Sequence, residues 1–326
     1  MGKSCCGFQR SKIEGSYYYG LYYSDEPDNG YRNYMELFLP SKKWNKEYIF
    51  ARNQGTGYSD NIHQEKCMAA NGMGGWSGLC PTQELVDAYE MANGSTPIIG
   101  YNADGTPIIN GASGSSETGF AATAGKHYPA GVYNMYVGRE PRFYASINFN
   151  GQQWRGRQLE FWQGGKDGIN VSKVDYCCTG YLLRKTADEG VDVINGKGGM
   201  KEASILFRVG SLYLDYAEAL NEAEGPVDDV YKYVDAIRKR AGLPGLAKGL
   251  DKDKMRERIQ HERQIELAFE AGHRYFDCHR WKIAEKTDNG YMHGMNITAT
   301  NKVYDIYREV SISKEKLQEI IERIKA

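Results

Sequence analysis

The chain has 326 residues, with 41 basic and 42 acidic side chains and a formal net charge of −1. This balance argues against a general nucleic-acid or membrane-surface binder, because both need a concentrated positive field. No run approaches the ~18 apolar residues that span a bilayer, and residues 1–16 lack the apolar segment of an intact signal peptide. The length suits one large domain or two smaller ones.

Seven cysteines are present, four of them in the adjacent pairs Cys5–Cys6 and Cys177–Cys178. Their spacing fits neither a disulfide framework nor a zinc site, so we predict mostly free thiols. The 25 tyrosines are consistent with a wet recognition surface, since tyrosine combines an apolar face with a polar tip. They are equally consistent with a tyrosine-rich mixture of core and surface.

The first 130 residues are rich in Gly, Asn and Ser, and residues 53–75 show no apolar period. A structureless segment of this length is uncommon unless it is functional, so we predict a functional loop there. A helix is predicted over 81–94. Two β-hairpins are predicted after it, one over 96–110 around an Asp-Gly turn and one over 142–154 around an Asn-Gly turn.

From about residue 203 the pattern becomes helical. Apolar residues recur at three- and four-residue steps over 203–225, Gly225-Pro226 breaks the run, and a second apolar stripe follows. This predicts an αα-hairpin, and a third helix is expected after Asp251, a favourable N-cap. The predicted fold class is mainly α, with tetratricopeptide-like helix pairs, long loops and one or two small β-hairpins.

Residues 262–282 combine carboxylates, guanidiniums, histidines and aromatic rings. Glu262 and Glu266 project from one helix face, shared with Met255, Ile259 and Phe269, and are therefore expected to point into the core. Buried charges persist when they are paired, whereas a catalytic couple needs two carboxylates facing each other across a cleft. We predict a structural charge cluster of Glu262, Glu266, Glu270, Arg274, Asp277 and Arg280, with Arg263 as a further partner.

Other catalytic and metal-binding patterns are incomplete. Glu270 and His273 match only half of a di-iron helix motif, and residues 190–197 lack the spacing and the Ser/Thr of a phosphate loop. The sequence contains no G-x-S-x-G nucleophile elbow. We therefore predict no enzyme activity, no metal and no cofactor.

Seven sequence blocks form a pattern along the chain. They are NKEYIFARN (45–53), CPTQELVDAYEMANG (80–94), NMYVGREPRFYASINFNGQQW (134–154), YLLRK (181–185), ILFRVGSLYLDYAEALNEAEG (205–225), VDAIRKRAGLPG (234–245) and IQHERQIELAFEAGHRYFDCHRWK (259–282). In this order they closely resemble the SusD/RagB family, nutrient-binding outer-membrane lipoproteins of Bacteroidota-type bacteria.

The resemblance implies helix pairs that support long binding loops, and no catalysis. It implies capture of an oligosaccharide, or less often a peptide, at the outer-membrane surface, and delivery to a SusC-like TonB-dependent transporter; nucleic acid is not an expected partner. We accordingly predict a loop-rich ligand-binding region over 1–202 and a helical C-terminal region over 203–326, within one continuous domain.

The sequence departs from the family pattern in three ways. Family members are usually considerably longer, so this chain is expected to lack most of the N-terminal helical repeats. The lipoprotein signal with its lipidated cysteine is absent from it. Residues 311–326 carry an amphipathic helix pattern instead of an extended tail. The chain is therefore expected to be a fragment, a divergent homologue or a mis-started gene.

Sugar binding calls for flat aromatic faces and short polar groups, which loops on a rigid scaffold can position. By loop position, the predicted ligand-binding residues are Tyr58, Asp60, Asn61, His63 and Trp76, with Trp154 and Trp162 as a second choice. Trp76 is equally compatible with packing under the following helix. Two other functions stay open: a helical-repeat interaction scaffold with an apolar groove, and a glycoside hydrolase.

Overall fold

The described residues form mostly helical regular structure with small strand pairs. The computed structural model describes residues 12–13, 16–39, 45–53, 58–102, 106–169, 175–196, 203–270, 272–288, 292–300, 303–312 and 322. The helices are α1 (Gly30–Leu37), α2 (Tyr58–Met68), α3 (Gln83–Ala88), α4 (Pro141–Ser146), α5 (Val209–Glu224), α6 (Asp228–Arg240), α7 (Lys252–Glu266), α8 (His273–Arg280) and α9 (Ala284–Thr287). The strands are β1 (Lys12–Ile13), β2 (Ser16–Tyr17), β3 (Tyr48–Asn53), β4 (Ile98–Tyr101), β5 (Pro107–Ile109), β6 (Ile147–Phe149), β7 (Gln153–Trp154), β8 (Arg157–Gln158), β9 (Tyr181–Leu183), β10 (Ala203–Arg208), β11 (Met292–Thr300) and β12 (Val303–Ile312). The predicted mainly α fold class is confirmed.

Every strand pair within the described residues is two-stranded and antiparallel. The hairpin predicted over 96–110 is confirmed, since Ile98 lies opposite Ile109 and Tyr101 opposite Pro107 in the β4–β5 pair. The second predicted hairpin is wrong. β6 pairs with the distant β9, and β7 pairs with β8 instead.

The strand predicted over 142–149 is helical in its first half. Pro141 occupies the start of α4, where its fixed φ suits a helix and its missing N–H costs nothing. The alternating pattern was misleading because both faces are covered: every residue from Arg142 to Ser146 is buried. A half-buried strand would have exposed alternate side chains to solvent.

Three helices form the C-terminal layer, with α5 packed against both α6 and α7. Their apolar faces share a cluster of buried side chains: Ala217, Val230, Tyr231, Val234, Leu246, Met255 and Ile259. The Asp251 side chain caps α7 by accepting a 2.8 Å hydrogen bond from the Lys254 N–H. The helical prediction fails at 203–208, which form β10 and pair with β3, and at 292–300 and 303–312, where β11 pairs with β12. The predicted third helix also ends at Glu266, and α8 begins only at His273.

The predicted loop over 53–75 contains a helix, α2, which the sequence hides because its residues lack a continuous apolar stripe. The following segment folds back on the end of this helix. The Trp76 N–H donates to the Lys66 carbonyl at 2.7 Å, and the Ser77 N–H to the Ala69 carbonyl at 3.0 Å. These bonds satisfy carbonyls that a helix C-terminus leaves unpaired.

Tyrosines contribute heavily to the main core, so the high tyrosine content is not confined to a recognition surface. The Tyr136 ring lies 4.4 Å from the Phe149 ring, centroid to centroid, and neither is exposed. The Tyr136 hydroxyl bonds that of Tyr181 at 3.2 Å, and Tyr181 in turn donates to Gln83 at 2.8 Å. These two buried hydroxyls therefore find partners, as tyrosine burial favours.

The C-terminal prediction falls mostly outside the described residues. Of 311–326, only residues 311, 312 and 322 are described, and the first two end β12. The amphipathic helix over 311–326 and the division of the chain at residue 202 stay predictions.

Gly30→Ala is expected to destabilise the fold by about 1–3 kcal/mol through overpacking. A Cβ at Gly30 would lie 2.2 Å from the backbone oxygen of Ala241, where α1 meets the end of α6. Urea unfolding would measure the loss. Gly20→Ala is the matched control, because a Cβ there meets nothing within 4 Å. Equal unfolding midpoints for both variants would contradict this packing.

Candidate functional site

A buried network of ion pairs surrounds one face of α7. Glu262 binds Arg142 through Oε1 at 2.5 Å and Arg238 through Oε2 at 3.0 Å. One turn later, Glu266 lies 3.1 Å from Arg142 Nη1 and 2.9 Å from Arg208 Nη1. All five side chains are at most 2% exposed. The network thus joins α7 to α4, α6 and the β10–α5 junction.

Further charged side chains extend this network without reaching solvent. Arg240 Nη1 lies 3.0 Å from Glu47 Oε2, and Lys185 Nζ donates to Glu270 Oε1 at 2.6 Å. Glu47 and Glu270 also bind Arg208, at 2.6 and 2.8 Å. Glu90 and Glu140 are further buried members. Each charge has a partner, which is the condition for keeping ions in a protein interior.

The network holds its central glutamates in the ionised form. Burial alone would raise the pKa of Glu266, but its three arginine partners outweigh burial and hold that pKa well below its usual range. The same balance lowers the pKa values of Glu262 and Glu270. Glu140 differs, because burial raises its pKa despite its arginine partner. These paired, solvent-excluded carboxylates are arranged to join elements rather than to meet a substrate.

Most of the predicted partners of these glutamates are wrong. Arg263 and Arg280 pair with Asp277, at 2.8 and 2.9 Å, as predicted, but not with Glu262, Glu266 or Glu270. Arg274 lines a cleft. Phe269 is 43% exposed and so does not share the buried face of α7. Sequence spacing identifies neighbours within a helix, whereas these partners come from distant elements.

The first group of predicted ligand residues lies on and beside α2. Tyr58, Asp60 and Asn61 belong to this helix, and their side chains lie outside the described part of the structure. His63 is exposed, and its ring centroid is 5.4 Å from that of Trp76. Trp76 is 37% exposed, so part of this indole remains open to solvent.

The second group of predicted ligand residues is less accessible. Trp154 is 3% exposed and its ring lies 4.6 Å from the Arg184 guanidinium. Its indole therefore offers no free face to a ligand. Trp162 is half-buried and packs against the main core.

A cleft of about 590 Å³ lies between α3, the β4–β5 hairpin and the segment joining α7 to α8. Two aromatic rings line it, Tyr101 at 46% and Phe269 at 43% exposure. The Tyr101 hydroxyl donates to Asp87 at 2.6 Å, which fixes the ring. Phe269 has a φ of +63°, a strained value for a bulky residue and a feature that clusters at functional sites.

The cleft lining is acidic. Glu84, Asp87 and Asp288 against Arg274 give three negative charges and one positive, a formal charge of −2. His261 adds no charge near neutral pH, because burial lowers its pKa. Its Nε2–H donates to the Ala88 carbonyl at 2.7 Å. The sequence did not indicate this cleft; the one signal it carried was Tyr101 within a predicted hairpin.

The described residues include neither a metal-binding cluster nor a membrane-spanning helix. No group of three or more His, Cys, Asp or Glu side chains there is arranged to hold a metal ion. Among those residues, no helix has both the length and the apolar character needed to cross a bilayer. The thiols of Cys67, Cys80, Cys177, Cys178 and Cys278 are free.

The helical layer, the small strand pairs and the open cleft define a mainly α protein with a candidate ligand site. A model of the SusD family matches residues 38–318. The chain belongs to the SusD family.

Two relatives from Formosa agariphila share parts of the sequence. SusD-like protein P25 is 42% identical over 82 residues, which are 24% of this chain and 15% of that protein. SusD-like protein P2 is 34% identical over 100 residues, which are 28% of this chain and 20% of that protein. These matches cover only a small share of each relative.

Solved structures resemble most of the described fold. A SusD-like protein from Bacteroides fragilis is 28% identical with a TM-score of 0.66, over 92% of this chain and 57% of that one. A SusD-like carbohydrate-binding protein from the same species is 25% identical with a TM-score of 0.58, over 80% of this chain and 47% of that one. The chain thus spans about half the length of these structures.

Proposed function

We propose that the protein captures a nutrient glycan at the bacterial cell surface, without transforming it, and delivers it to a SusC-like TonB-dependent transporter in the outer membrane. Membership of the SusD family supports this function. Similarity to a structure named as a carbohydrate-binding protein supports the ligand class. The transporter contact and the surface location are part of the proposal.

The observation that carries the proposal is the cleft with two exposed aromatic rings. A sugar presents C–H faces bordered by hydroxyls, so its site needs flat apolar surfaces with polar groups beside them. Tyr101 and Phe269 supply the surfaces, while Gln264, Thr96 and Arg274 supply hydrogen-bonding groups. The volume of about 590 Å³ lies within the usual range of roughly 300–1,000 Å³ for ligand sites.

The carboxylates of the cleft favour binding over hydrolysis. Glycosidases place two carboxyl groups on opposite sides of the scissile bond, roughly 5–10 Å apart. Glu84 and Asp87 both come from the short helix α3, whereas Asp288 follows α9. All three are engaged: Asp87 accepts from Gln83 at 2.8 Å, Glu84 from the His293 N–H at 3.0 Å and Asp288 from the Thr287 hydroxyl at 2.8 Å. We therefore propose that the captured glycan leaves the protein intact.

Tyr101→Ala is expected to weaken glycan binding by roughly 1–2 kcal/mol, or about five- to thirty-fold, because aromatic anchors contribute strongly to recognition. Calorimetric titration with neutral and acidic oligosaccharides would measure this, with a reducing-end assay alongside. Ile99→Ala is the matched control: Ile99 lies on the same strand, is 65% exposed and is not part of the cleft lining.

Three results would change this assignment. Unchanged affinity in Tyr101→Ala, with loss in Trp76→Ala, would move the site to the α2 surface predicted from the sequence. The appearance of reducing ends would show hydrolysis. Failure to bind any glycan would overturn the proposed function as a whole.

A further inference from the structure

A second pocket, of about 300 Å³, differs from the cleft in charge. It is lined chiefly by Tyr31, Lys126, His127, Tyr128, Gln152 and Arg184. Lys126 and Arg184 give this lining two positive charges, and no Asp or Glu is among its described residues. The nearby acid Glu189 lies 3.7 Å from Arg184 Nη2, with 53% of its side chain exposed. The pocket is thus cationic where the cleft is acidic.

The Arg184 guanidinium is firmly held but incompletely paired. Its side chain is 10% exposed and lies between two rings, 5.5 Å from Tyr31 and 4.6 Å from Trp154. Its Nη2 donates to the Tyr31 hydroxyl at 2.6 Å. With the Gln152 amide oriented to suit its neighbours, the amide oxygen accepts from Nη1 at 2.7 Å. The buried Nε has no hydrogen-bond partner among the described residues.

Another part of the pocket lining is a tight turn that carries Lys126 and His127. The Gly125 N–H donates to the Tyr128 carbonyl at 2.9 Å, and a Cβ at Gly125 would lie 2.3 Å from the Tyr128 ring. The His127 ring stacks on Tyr31 at 4.7 Å. Burial, followed by the charges of Lys126 and Arg184, lowers the pKa of His127 to about 4. Lys126 and Arg184 thus line the same pocket.

We propose that this pocket binds the carboxylate or sulfate ester of an acidic glycan and so sets the substrate class of the protein. This inference rests on the glycan capture proposed above. Arginine pairs with planar oxyanions through charge-assisted hydrogen bonds, which are about twice as strong as neutral ones. The negative charges of the cleft repel such a group, so we place the charged sugar residue at the two cations of the pocket.

The test compares oligosaccharides that differ in charge: oligogalacturonate, sulfated dextran oligosaccharide and neutral dextran oligosaccharide. Calorimetry should show binding of an acidic ligand that weakens with added salt. Lys126→Glu and Arg184→Gln should each weaken it by about tenfold or more. Lys232→Glu makes the same charge change on the exposed face of α6, where 64% of the side chain is open, and should have little effect.

The two acidic ligands distinguish a carboxylate from a sulfate site. Thermal melting of Arg184→Gln would show whether this variant is folded. Lys126 is exposed, so Lys126→Glu tests the pocket independently of the largely buried arginine. Binding of neutral dextran alone, or acidic binding unaffected by either variant, would overturn the pocket assignment while leaving glycan capture intact. An equal loss in Lys232→Glu would reduce the effect to general charge attraction and also overturn it. No binding of any glycan would overturn both proposals.

Discussion

Glu266→Gln is expected to destabilise the protein by about 3–5 kcal/mol, the usual cost of breaking a buried ion pair from one side. Its carboxylate faces Arg142, Arg208 and Arg240, and none of the four side chains is more than 1% exposed. Glutamine would fill the same space but leave three guanidiniums around a neutral amide. Since total stability is typically about 5–15 kcal/mol, the loss should be plain in urea unfolding.

Glu222→Gln provides the control for this experiment. Glu222 binds Arg256 at 2.6 Å, but 40% of its side chain is exposed. An exposed pair contributes roughly 0–1 kcal/mol, because water and salt screen it. Equal losses in the two variants would contradict a bracing role for the network. So would a Glu266→Gln protein of normal stability that no longer bound glycan, since that result would place Glu266 in a binding site.

The sequence predicted the C-terminal helices well because their signals are local. Apolar residues repeat at helical spacing through α5, α6 and α7, and Asp251 marks the start of α7 with a side-chain cap. β10 was missed because strand formation at 203–208 depends on pairing with β3, about 150 residues earlier in the chain. Tertiary pairing overrode a pattern that favoured helix.

The charge network shows which features of an ion pair residue spacing can predict. The four-residue separation of Glu262 and Glu266 placed both carboxylates on one face, and the structure buries both. Their partners lie on α4, on α6 and at the end of β10, separated by 24 to 124 residues from the glutamates they bind. Helical periodicity predicts only which residues of one helix share a face, so it does not indicate such contacts. A single sequence indicates that a buried charge needs a partner, but not which residue provides it.

The candidate cleft could not be predicted from the sequence, for a different reason. Tyr101 belongs to a hairpin that was predicted, yet the face that this hairpin turns toward α3 depends on packing. Phe269 continues the apolar stripe of α7 in sequence, but its backbone turns to a φ of +63° and carries the ring out of the core. Ligand binding was predicted instead for tryptophans in expected loops, and of these Trp154 is buried.

The free energy of unfolding is expected to fall as the pH drops below the ordinary glutamate pKa of about 4.3. The arginines hold the folded-state pKa values of Glu262, Glu266 and Glu270 below their ordinary values. Stability from such groups is complete above the unfolded-state pKa and is lost as the pH falls through the folded-state pKa, because the unfolded chain binds protons first. Glu140, with its raised pKa, acts in the opposite direction and offsets part of the loss.

Comparison with Glu266→Gln isolates the contribution of one carboxylate to this loss of stability at low pH. Below about pH 4, wild-type protein should lose its advantage over the variant by roughly 1.4 kcal/mol per pH unit, because protonation of the unfolded chain favours unfolding only where residue 266 is glutamate. Urea midpoints measured from pH 3 to pH 7 would show the two stability curves converging. Parallel curves would mean that Glu266 titrates alike in both states, which is incompatible with a carboxylate held ionised by three buried arginines.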